Sequence, residues 1–308
     1  MQPFKNSIKL LSKNWVHAAL FIVASIYALT FSWAKDIMPL YIQGFGFIII
    51  RVWGAALLFF IASFFTKKET INLKEHGLRL LLCSVFGVAA NMLMFFKGLE
   101  ITTPINAAVL MLATPIFVFI LSVLINKNRV YYSQVFGILL ACLGCLWLMS
   151  GRSFHFSSTT LPGDILIILN AISYAGYLVL AKKLLQNYHF ITVSKYTFFI
   201  GGLLVLPFGF KELQAAHFAI MDTEIILKVL FIIVCSTFIT YLLNAWSIMK
   251  AGPTIVGAYI YLQPVLATLI AIFLQKDSLD LHKIISTVLI FTGVYITSTK
   301  FKWQQSKA

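Results

Sequence analysis

The chain contains the apolar stretch PINAAVLMLATPIFVFILSVLINKNR at residues 104–129 and a related stretch, PTIVGAYIYLQPVLATLIAIFLQKDS, at residues 253–278. Each stretch begins with a proline and carries a second proline eleven residues later, Pro115 in the first and Pro264 in the second. Each ends in a short polar segment, and the two copies are separated by a constant offset of 149 residues. This shared register indicates that the chain is built from two equivalent halves.

The composition places the chain in a membrane. Hydrophobic residues make up 60% of it and charged residues 11%, which is too apolar for a soluble domain with a polar surface. The apolar runs are about 20 residues long, the length of helix that crosses about 30 Å of hydrocarbon. The net charge of +14 does not indicate a nucleic-acid partner, because the basic residues lie between the apolar runs, where they orient a membrane protein. The sequence therefore predicts an all-α protein whose surroundings are the lipid bilayer.

Ten transmembrane helices are predicted, arranged as an inverted repeat of two five-helix units. Of the 24 Lys and Arg residues, sixteen fall on the side of both chain termini, seven fall on the other side, and Arg51 lies within a span. Because positive residues concentrate on the cytoplasmic side, both termini are expected in the cytoplasm. Since five is odd, the second unit enters the membrane from the opposite side, which is typical of secondary transporters. The units are residues 1–150 and 151–308, and the spans are 15–34, 41–65, 78–98, 104–126, 131–150, 164–183, 191–210, 225–247, 253–274 and 283–299.

Nothing in the sequence indicates an enzyme, a cofactor or a metal site. A His pair, a phosphate-binding loop and a Ser-His-Asp arrangement are all missing, and the six histidines fall at span ends and in loops. Cys142 and Cys145 have the spacing of a redox or metal motif, but both lie in an apolar run with no His or carboxylate nearby in sequence. We interpret them as small packing residues.

Several motifs resemble the EamA-type proteins of the drug/metabolite transporter superfamily. They are the two proline-started helices with polar ends, the glycine-spaced helix that follows each (Gly137 to Gly144, and Gly293), the segment from Leu161 to Asp164 (Leu-Pro-Gly-Asp), and Arg51 ten residues into the second span. The resemblance covers essentially the whole chain. It implies a ten-helix carrier, found in the bacterial inner membrane in most members, that moves amino acids or other small metabolites, commonly outward.

The chain departs from the pattern of that family at two places. The polar end usually contains Gly-Glu, whereas this chain has Lys127-Asn128 and Lys276-Asp277. The second-half counterpart of Gly137 is Ser286. These departures weaken any role assigned to an acid in that loop.

The two inner prolines mark the first candidate functional residues. A proline within a helix frees the carbonyl four residues earlier, which here belongs to Met111 or Ile260. In hydrocarbon such a carbonyl must be satisfied by protein or water. The residues preceding the prolines are polar, Thr114 before Pro115 and Gln263 before Pro264. Two kinked helices that line a central cavity are one interpretation, and two kinked packing helices are the other.

Arg51 is the only ionised group deep within a predicted span. Placing an arginine there costs about 2.5–3.5 kcal/mol on insertion scales, so its side chain must face the protein interior. One interpretation is a contact with an anion or carboxylate in the substrate path. The alternative is a structural arginine bonded to helix-end carbonyls.

Amide and tyrosine side chains within the spans are further candidates. Amides in hydrocarbon need partners and should face the bundle, where they could bind substrate or hold helices together. Deep tyrosines could line a cavity, whereas Phe95 and Phe96 are expected to be packing residues. These candidates are Asn91, Asn170, Tyr174, Asn244, Tyr259 and Tyr261.

Taken together, these patterns predict a secondary transporter that works by alternating access, and the resemblance implies a small organic metabolite such as an amino acid as substrate and export as the direction. The alternatives are a flippase for a lipid-linked substrate and a non-transporting sensor or assembly protein. The sequence does not decide whether the protein forms a homodimer. Asp36, Glu100, Asp164 and Asp277 all lie near span ends or in loops. We therefore expect that coupling does not run through a buried carboxylate.

Overall fold

A computed structural model describes residues 2–38, 40–66, 68–127, 130–150, 157–273, 275 and 278–299. Asn128, Lys276 and Asp277 of the two polar ends lie outside these ranges, as does the basic C-terminal tail. Within them the α-helices are α1 (Gln2–Ile37), α2 (Gly44–Ser63), α3 (Leu73–Ser84), α4 (Ala90–Ile101), α5 (Pro104–Met111), α6 (Thr114–Asn126), α7 (Tyr132–Met149), α8 (Leu161–Asn187), α9 (Phe190–Gln214), α10 (Thr223–Phe231), α11 (Thr240–Ala251), α12 (Pro253–Ala258), α13 (Leu262–Phe273) and α14 (Leu281–Ser298).

The predicted ten-helix membrane architecture is confirmed. Over the described ranges, nine helical segments are long and apolar enough to cross a membrane, and α1 adds a shorter apolar stretch, Trp15–Thr30. The third, fourth, eighth and ninth spans are composite and consist of α3 with α4, α5 with α6, α10 with α11, and α12 with α13. Two helices begin five or more residues before the predicted spans, α1 at Gln2 and α3 at Leu73. Hydropathy marks the part of a helix in hydrocarbon, whereas helical hydrogen bonding continues into polar residues until a cap stops it, as the Asn72 side chain does by accepting from the Lys74 amide.

The composite spans are interrupted at equivalent places in the two halves. The third and eighth spans contain π-helical segments at Val85–Ala89 and Ile232–Ile239. The ninth span contains a 3₁₀ segment, Tyr259–Tyr261, and the fourth span has tightened turns between α5 and α6, where the Leu112 amide donates to the Val109 carbonyl at 3.0 Å. The last two interruptions directly precede the inner prolines, which cannot donate the next helical hydrogen bond.

Packing between the helices follows the inverted repeat. The second and seventh spans, α2 and α9, pack against each other, and so do the fifth and tenth, α7 and α14. The first span, α1, packs on α11 and α13, and its counterpart α8 packs on α4 and α6 in the same way. Two copies of one five-helix unit therefore face each other across a pseudo-two-fold axis. The cytoplasmic location of the termini stays a prediction.

The glycines of α7 and α14 bring these two helices into backbone contact. A Cβ atom added to Gly137 would lie 2.6 Å from the Gly293 carbonyl oxygen, and a Cβ atom on Gly293 would lie 2.6 Å from the Gly137 carbonyl oxygen. Small residues that let helix backbones approach are a main source of association energy in membranes, where no hydrophobic effect separates helix from lipid. Ser286, the second-half counterpart of Gly137, fits into this contact because its hydroxyl turns back towards its own helix and donates to the carbonyl of His282 at 2.8 Å.

The start of the second unit is fixed to the first unit by the Leu161-Pro-Gly-Asp164 segment. The Asp164 carboxylate is buried in the first turn of α8, where it accepts hydrogen bonds from the Thr102 hydroxyl and, at 3.3 Å, from the Asn106 amide. Gly163 lets this turn approach, since a Cβ atom there would lie 2.7 Å from the Thr102 nitrogen. The Asp164 side chain therefore ties α8 to the junction of α4 and α5.

We expect that Gly293→Ala destabilises the protein, because the added methyl group must push α7 and α14 apart. Overpacking of this kind costs about 1–3 kcal/mol. Gly176→Ala in α8 is the matched control, because its Cβ atom would meet Phe86 at an ordinary 3.8 Å. Thermal unfolding of the purified variants in detergent should show a lower Tm for Gly293→Ala alone. Equal unfolding temperatures for the two variants would contradict the proposed backbone contact.

Candidate functional site

A cavity lies between the two halves at the centre of the bundle. It contains about 900 Å³ of space not filled by protein atoms, a volume that includes the open space at its mouth. The first unit contributes side chains from α1, α2, α4 and α5, and the second unit contributes them from the sixth, eighth and ninth spans. This central cavity is lined by Tyr27, Thr30, Ala34, Met38, Arg51, Asn91, Met92, Phe95, Phe96, Leu99, Met111, Asn170, Tyr174, Ser236, Tyr241, Ile260 and Gln263.

The central cavity is asymmetric along the membrane normal. It reaches the face of the molecule where α1 and α4 end, since Met38 and Leu99 line it. At its other end, Tyr27, Tyr174, Ile260 and Gln263 also line a second cavity of about 270 Å³, which we call the small cavity. These four side chains therefore form a layer between the two spaces. The rest of the small cavity is lined by Leu20, Val23, Ala24, Asn244, Val256 and Tyr259.

A hydrogen bond joins the two units beside the small cavity. The His17 ring nitrogen Nδ1 lies 2.6 Å from the Tyr259 hydroxyl. His17 belongs to the half of α1 that is nearer the N-terminus, and Tyr259 belongs to the 3₁₀ segment of the ninth span. This bond holds the first span against the broken ninth span on the side opposite the mouth of the central cavity.

Arg51 lies in the wall of the central cavity and is only 7% exposed. Its Nε–H donates to the Thr237 hydroxyl at 3.2 Å, and that hydroxyl donates in turn to the Ile232 carbonyl at 2.7 Å within the π-helical segment. The guanidinium carbon lies 5.6 Å from the centre of the Phe96 ring and 6.0 Å from that of Phe47. Among the described residues, no helix-end carbonyl accepts a hydrogen bond from Arg51. The alternative interpretation, a structural arginine bonded to such carbonyls, therefore has no support from these residues.

The amide side chains make hydrogen bonds between spans. The Asn170 amide donates to the Asn91 carbonyl at 2.6 Å, and the Asn244 amide donates to the Tyr174 hydroxyl at 3.2 Å. These bonds hold helices together, which is one of the two roles that the sequence left open. Because the same residues line the cavities, their remaining polar atoms stay candidates for substrate contacts.

The structure brings most of the candidate residues together. Arg51, Asn91, Met111, Asn170, Tyr174 and Gln263 line the central cavity, and Asn244 and Tyr259 line the small cavity. Four others lie outside both linings, namely Thr114, Pro115, Tyr261 and Pro264.

Tyr261 belongs to the packed interior and not to either cavity. It is fully buried within the apolar cluster around α7 and α13, and its backbone carbonyl accepts from the Cys145 thiol at 3.3 Å. The reason is local geometry, because the 3₁₀ segment directs Ile260 towards the cavity and its neighbour Tyr261 away from it. The same contact agrees with the interpretation of Cys145 as a packing residue.

Several lining residues were not among the sequence candidates. Phe95 and Phe96, expected to be packing residues, line the central cavity, as do Tyr27 and Tyr241. The Tyr241 hydroxyl donates to the carbonyl of Gly87 at 2.8 Å, within the π-helical segment of the third span. Tyr27 had a signal in the sequence, because it matches Tyr174 at the offset of the repeat.

The described residues contain no cluster of three or more His, Cys, Asp or Glu side chains that could hold a metal ion. The central cavity itself offers neutral donors and acceptors and one guanidinium. This set can bind and orient an organic molecule.

Comparison with known proteins identifies relatives over most of the chain. The sequence model of the EamA-like transporter family matches residues 14–150 and 161–299. An uncharacterized transporter of Archaeoglobus fulgidus is 28% identical over 232 residues, which cover 74% of this chain and 79% of that protein. The uncharacterized transporter YetK of Bacillus subtilis is 25% identical, with coverage of 92% and 86%.

Two further comparisons extend this picture. The protein WALLS ARE THIN 1 of Arabidopsis thaliana is 23% identical, with 89% of this chain and 78% of that protein covered. A protein of known crystal structure superposes with a TM-score of 0.72 at 17% identity, covering 92% of this chain and 96% of the other. The structural likeness shows that the fold is shared.

We expect that replacing both inner prolines, Pro115→Ala with Pro264→Ala, abolishes transport while leaving membrane expression intact. Restored helical hydrogen bonds would remove the breaks that place Met111 and Ile260 at the cavity. Pro207→Ala is the matched control, because Pro207 also lies inside a helix, α9, but outside the lining of the central cavity. Flux and membrane abundance should be measured on the same cells. Full transport by the double variant would refute the role of the breaks.

Proposed function

The chain belongs to the EamA-like transporter family, and on that basis we propose that it is a secondary transporter that exports small organic metabolites, amino acids among them, by alternating access. It is a membrane transporter of the drug/metabolite type. The proposal concerns the kind of substrate, the direction and the mechanism. Its main support is the central cavity, which both units line and which is partly open on one side.

The arrangement of the two units supports alternating access. An inverted repeat can rock about a site at its interface and expose that site to each side in turn. The central cavity lies at this interface, next to the breaks that expose Met111 and Ile260. On the closed side, a transported molecule would have to pass the layer that contains Tyr27 and Tyr174, and then the bond between His17 and Tyr259. Opening of this side is the step that the proposal requires.

The proposed orientation places the mouth of the central cavity on the outer face. If both termini lie in the cytoplasm, α1 ends on the outer face, and the mouth of the central cavity near Met38 opens outward. The structure then corresponds to an outward-open state, which in the proposed export cycle is the state that releases the compound. A relative of Salmonella typhimurium, 25% identical, is named an inner membrane transporter, which supports placing this chain in a bacterial inner membrane.

A metabolite panel tests the proposed function. We expect that cells overexpressing the protein accumulate less of at least one amino acid or related metabolite than empty-vector cells, and resist its toxic analogues. Ala34→Trp should abolish the effect, because Ala34 lines the central cavity and the indole would fill it. Ala267→Trp is the matched control, because Ala267 is exposed on the outside of α13.

The two variants separate a loss of the cavity from a general effect of a large side chain in a span. Expression at equal membrane abundance is required for the comparison. If no compound in the panel differs between overexpressing and empty-vector cells, the transport proposal fails and the flippase or non-transporting alternatives gain weight.

A further inference from the structure

Arg51 is a buried charge that has no counter-ion within the part of the chain that the structure describes. It is the only fully charged side chain among the described residues that line the central cavity, and no carboxylate lines that cavity with it. Of its five N–H donors, only the Nε–H has a hydrogen-bond partner within the described part of the chain, the neutral hydroxyl of Thr237. An unpaired charge is unfavourable where access to water is limited, so an anion that pairs with the Arg51 guanidinium would be stabilised in this cavity.

Three acids on the same face of the molecule are engaged elsewhere. Asp36 pairs with Lys228 at 2.6 Å, and Glu100 pairs with Lys97 at 2.8 Å. Glu212 accepts two backbone N–H groups at the start of α2, at 2.7 and 2.9 Å. These three carboxylates therefore have their own partners, none of them lines the central cavity, and the guanidinium remains available to a ligand.

The walls of the cavity around the guanidinium are mainly apolar and aromatic. Met92, Phe95, Phe96, Leu99 and Met111 form a continuous set from α4 and α5. These side chains favour a flexible or aromatic apolar body, since methionine adapts to irregular shapes and aromatic rings present large flat surfaces. A ligand that fits both features carries its charge at one end and its apolar part at the other.

We propose that Arg51 is the anion-binding subsite of the central cavity, and that the transported compounds carry one carboxylate, or an acid group of equal charge, on an apolar body. This inference rests on the proposed transport function and narrows its substrate class. The carboxylate accepts two N–H bonds from the guanidinium, the bidentate geometry for which arginine is suited. The apolar body lies against Phe96 and its neighbours in α4.

A positive group on the substrate is not required. Among the described residues, the cavity lining offers an ammonium neutral partners, such as the hydroxyl of Tyr174 and the side-chain carbonyl of Gln263, and no carboxylate. An amino acid would therefore be held by its carboxylate. The acid without an amino group should bind at least as well as the amino acid of the same shape, because Arg51 disfavours a second positive charge nearby.

Direct binding to the purified full-length protein in nanodiscs tests the subsite. The probes are 3-phenylpropionate, its neutral amide 3-phenylpropanamide and the zwitterion phenylalanine, titrated in chloride-free buffer so that no inorganic anion competes. We expect that the wild-type protein binds the carboxylate about 10- to 100-fold more tightly than the amide, the range for hydrogen bonds to a charged group. Phenylalanine should bind no more tightly than 3-phenylpropionate.

Variants at and next to Arg51 identify the group responsible. Arg51→Gln should lower the affinity for 3-phenylpropionate to that for the amide and leave the amide affinity unchanged, which also shows that the variant is folded. Arg51→Lys should keep a preference for the carboxylate. Thr237→Val removes the hydrogen-bond partner of Arg51 but keeps the charge, so it should retain a preference for the carboxylate over the amide.

The outcomes separate this inference from the transport proposal. Four results would each overturn the proposed subsite. The first two are equal affinity of the wild-type protein for carboxylate and amide, and an anion preference that survives in Arg51→Gln. The other two are binding of phenylalanine alone and no binding of 3-phenylpropionate at millimolar concentration. None of these results changes the metabolite panel in cells. A negative panel would sink the transport function, whereas the titrations would still decide what Arg51 binds.

Discussion

Every backbone N–H and C=O group in hydrocarbon must find a partner inside the protein, and the rest of this structure depends on that constraint. It restricts helix distortions to places where protein or a water-filled cavity can satisfy the freed groups. The chain places its π-helical segments, Val85–Ala89 and Ile232–Ile239, and its two tightened turns at equivalent points of the two halves. The Tyr241 hydroxyl satisfies the Gly87 carbonyl in one of these segments, so the distortions and the cavity stabilise each other.

The backbone of the two halves is repeated, but the side chains at the centre are not. Arg51 in the first half corresponds to Phe198 in the second, which is fully buried and packs edge-on against Tyr241 with ring centres 4.7 Å apart. The first half therefore supplies the charge of the cavity, whereas the eighth span of the second half supplies the Thr237 hydroxyl that orients it. The repeat can provide the rocking motion, and its asymmetry can provide recognition.

The sequence predicts the architecture well because the helices and their breaks are marked by residue types that recur at regular positions along the chain. Ten apolar runs, Pro115 and Pro264 at one offset, and the glycines of α7 and α14 each have a direct physical consequence in a membrane. Cavity lining was harder to predict because it depends on helix rotation, which tertiary packing sets. Ile260 and Tyr261 are neighbours in one broken helix, yet one faces the cavity and the other is buried in packing. Similarly, hydropathy could not distinguish Phe96, a cavity residue, from a packing phenylalanine.

Access to the two cavities from the two sides of the membrane tests alternating access most directly. Single cysteines at Met38→Cys, in the central cavity, and Val256→Cys, in the small cavity, would be placed in a chain without its four native cysteines. A membrane-impermeant thiol reagent would then be applied to whole cells and to inside-out vesicles. Alternating access predicts that the cysteine at position 38 reacts from outside and that the cysteine at position 256 reacts only from the cytoplasmic side. A compound that reduces the labelling of one cysteine should increase the labelling of the other. Labelling of both single-cysteine variants from the outside would contradict alternating access.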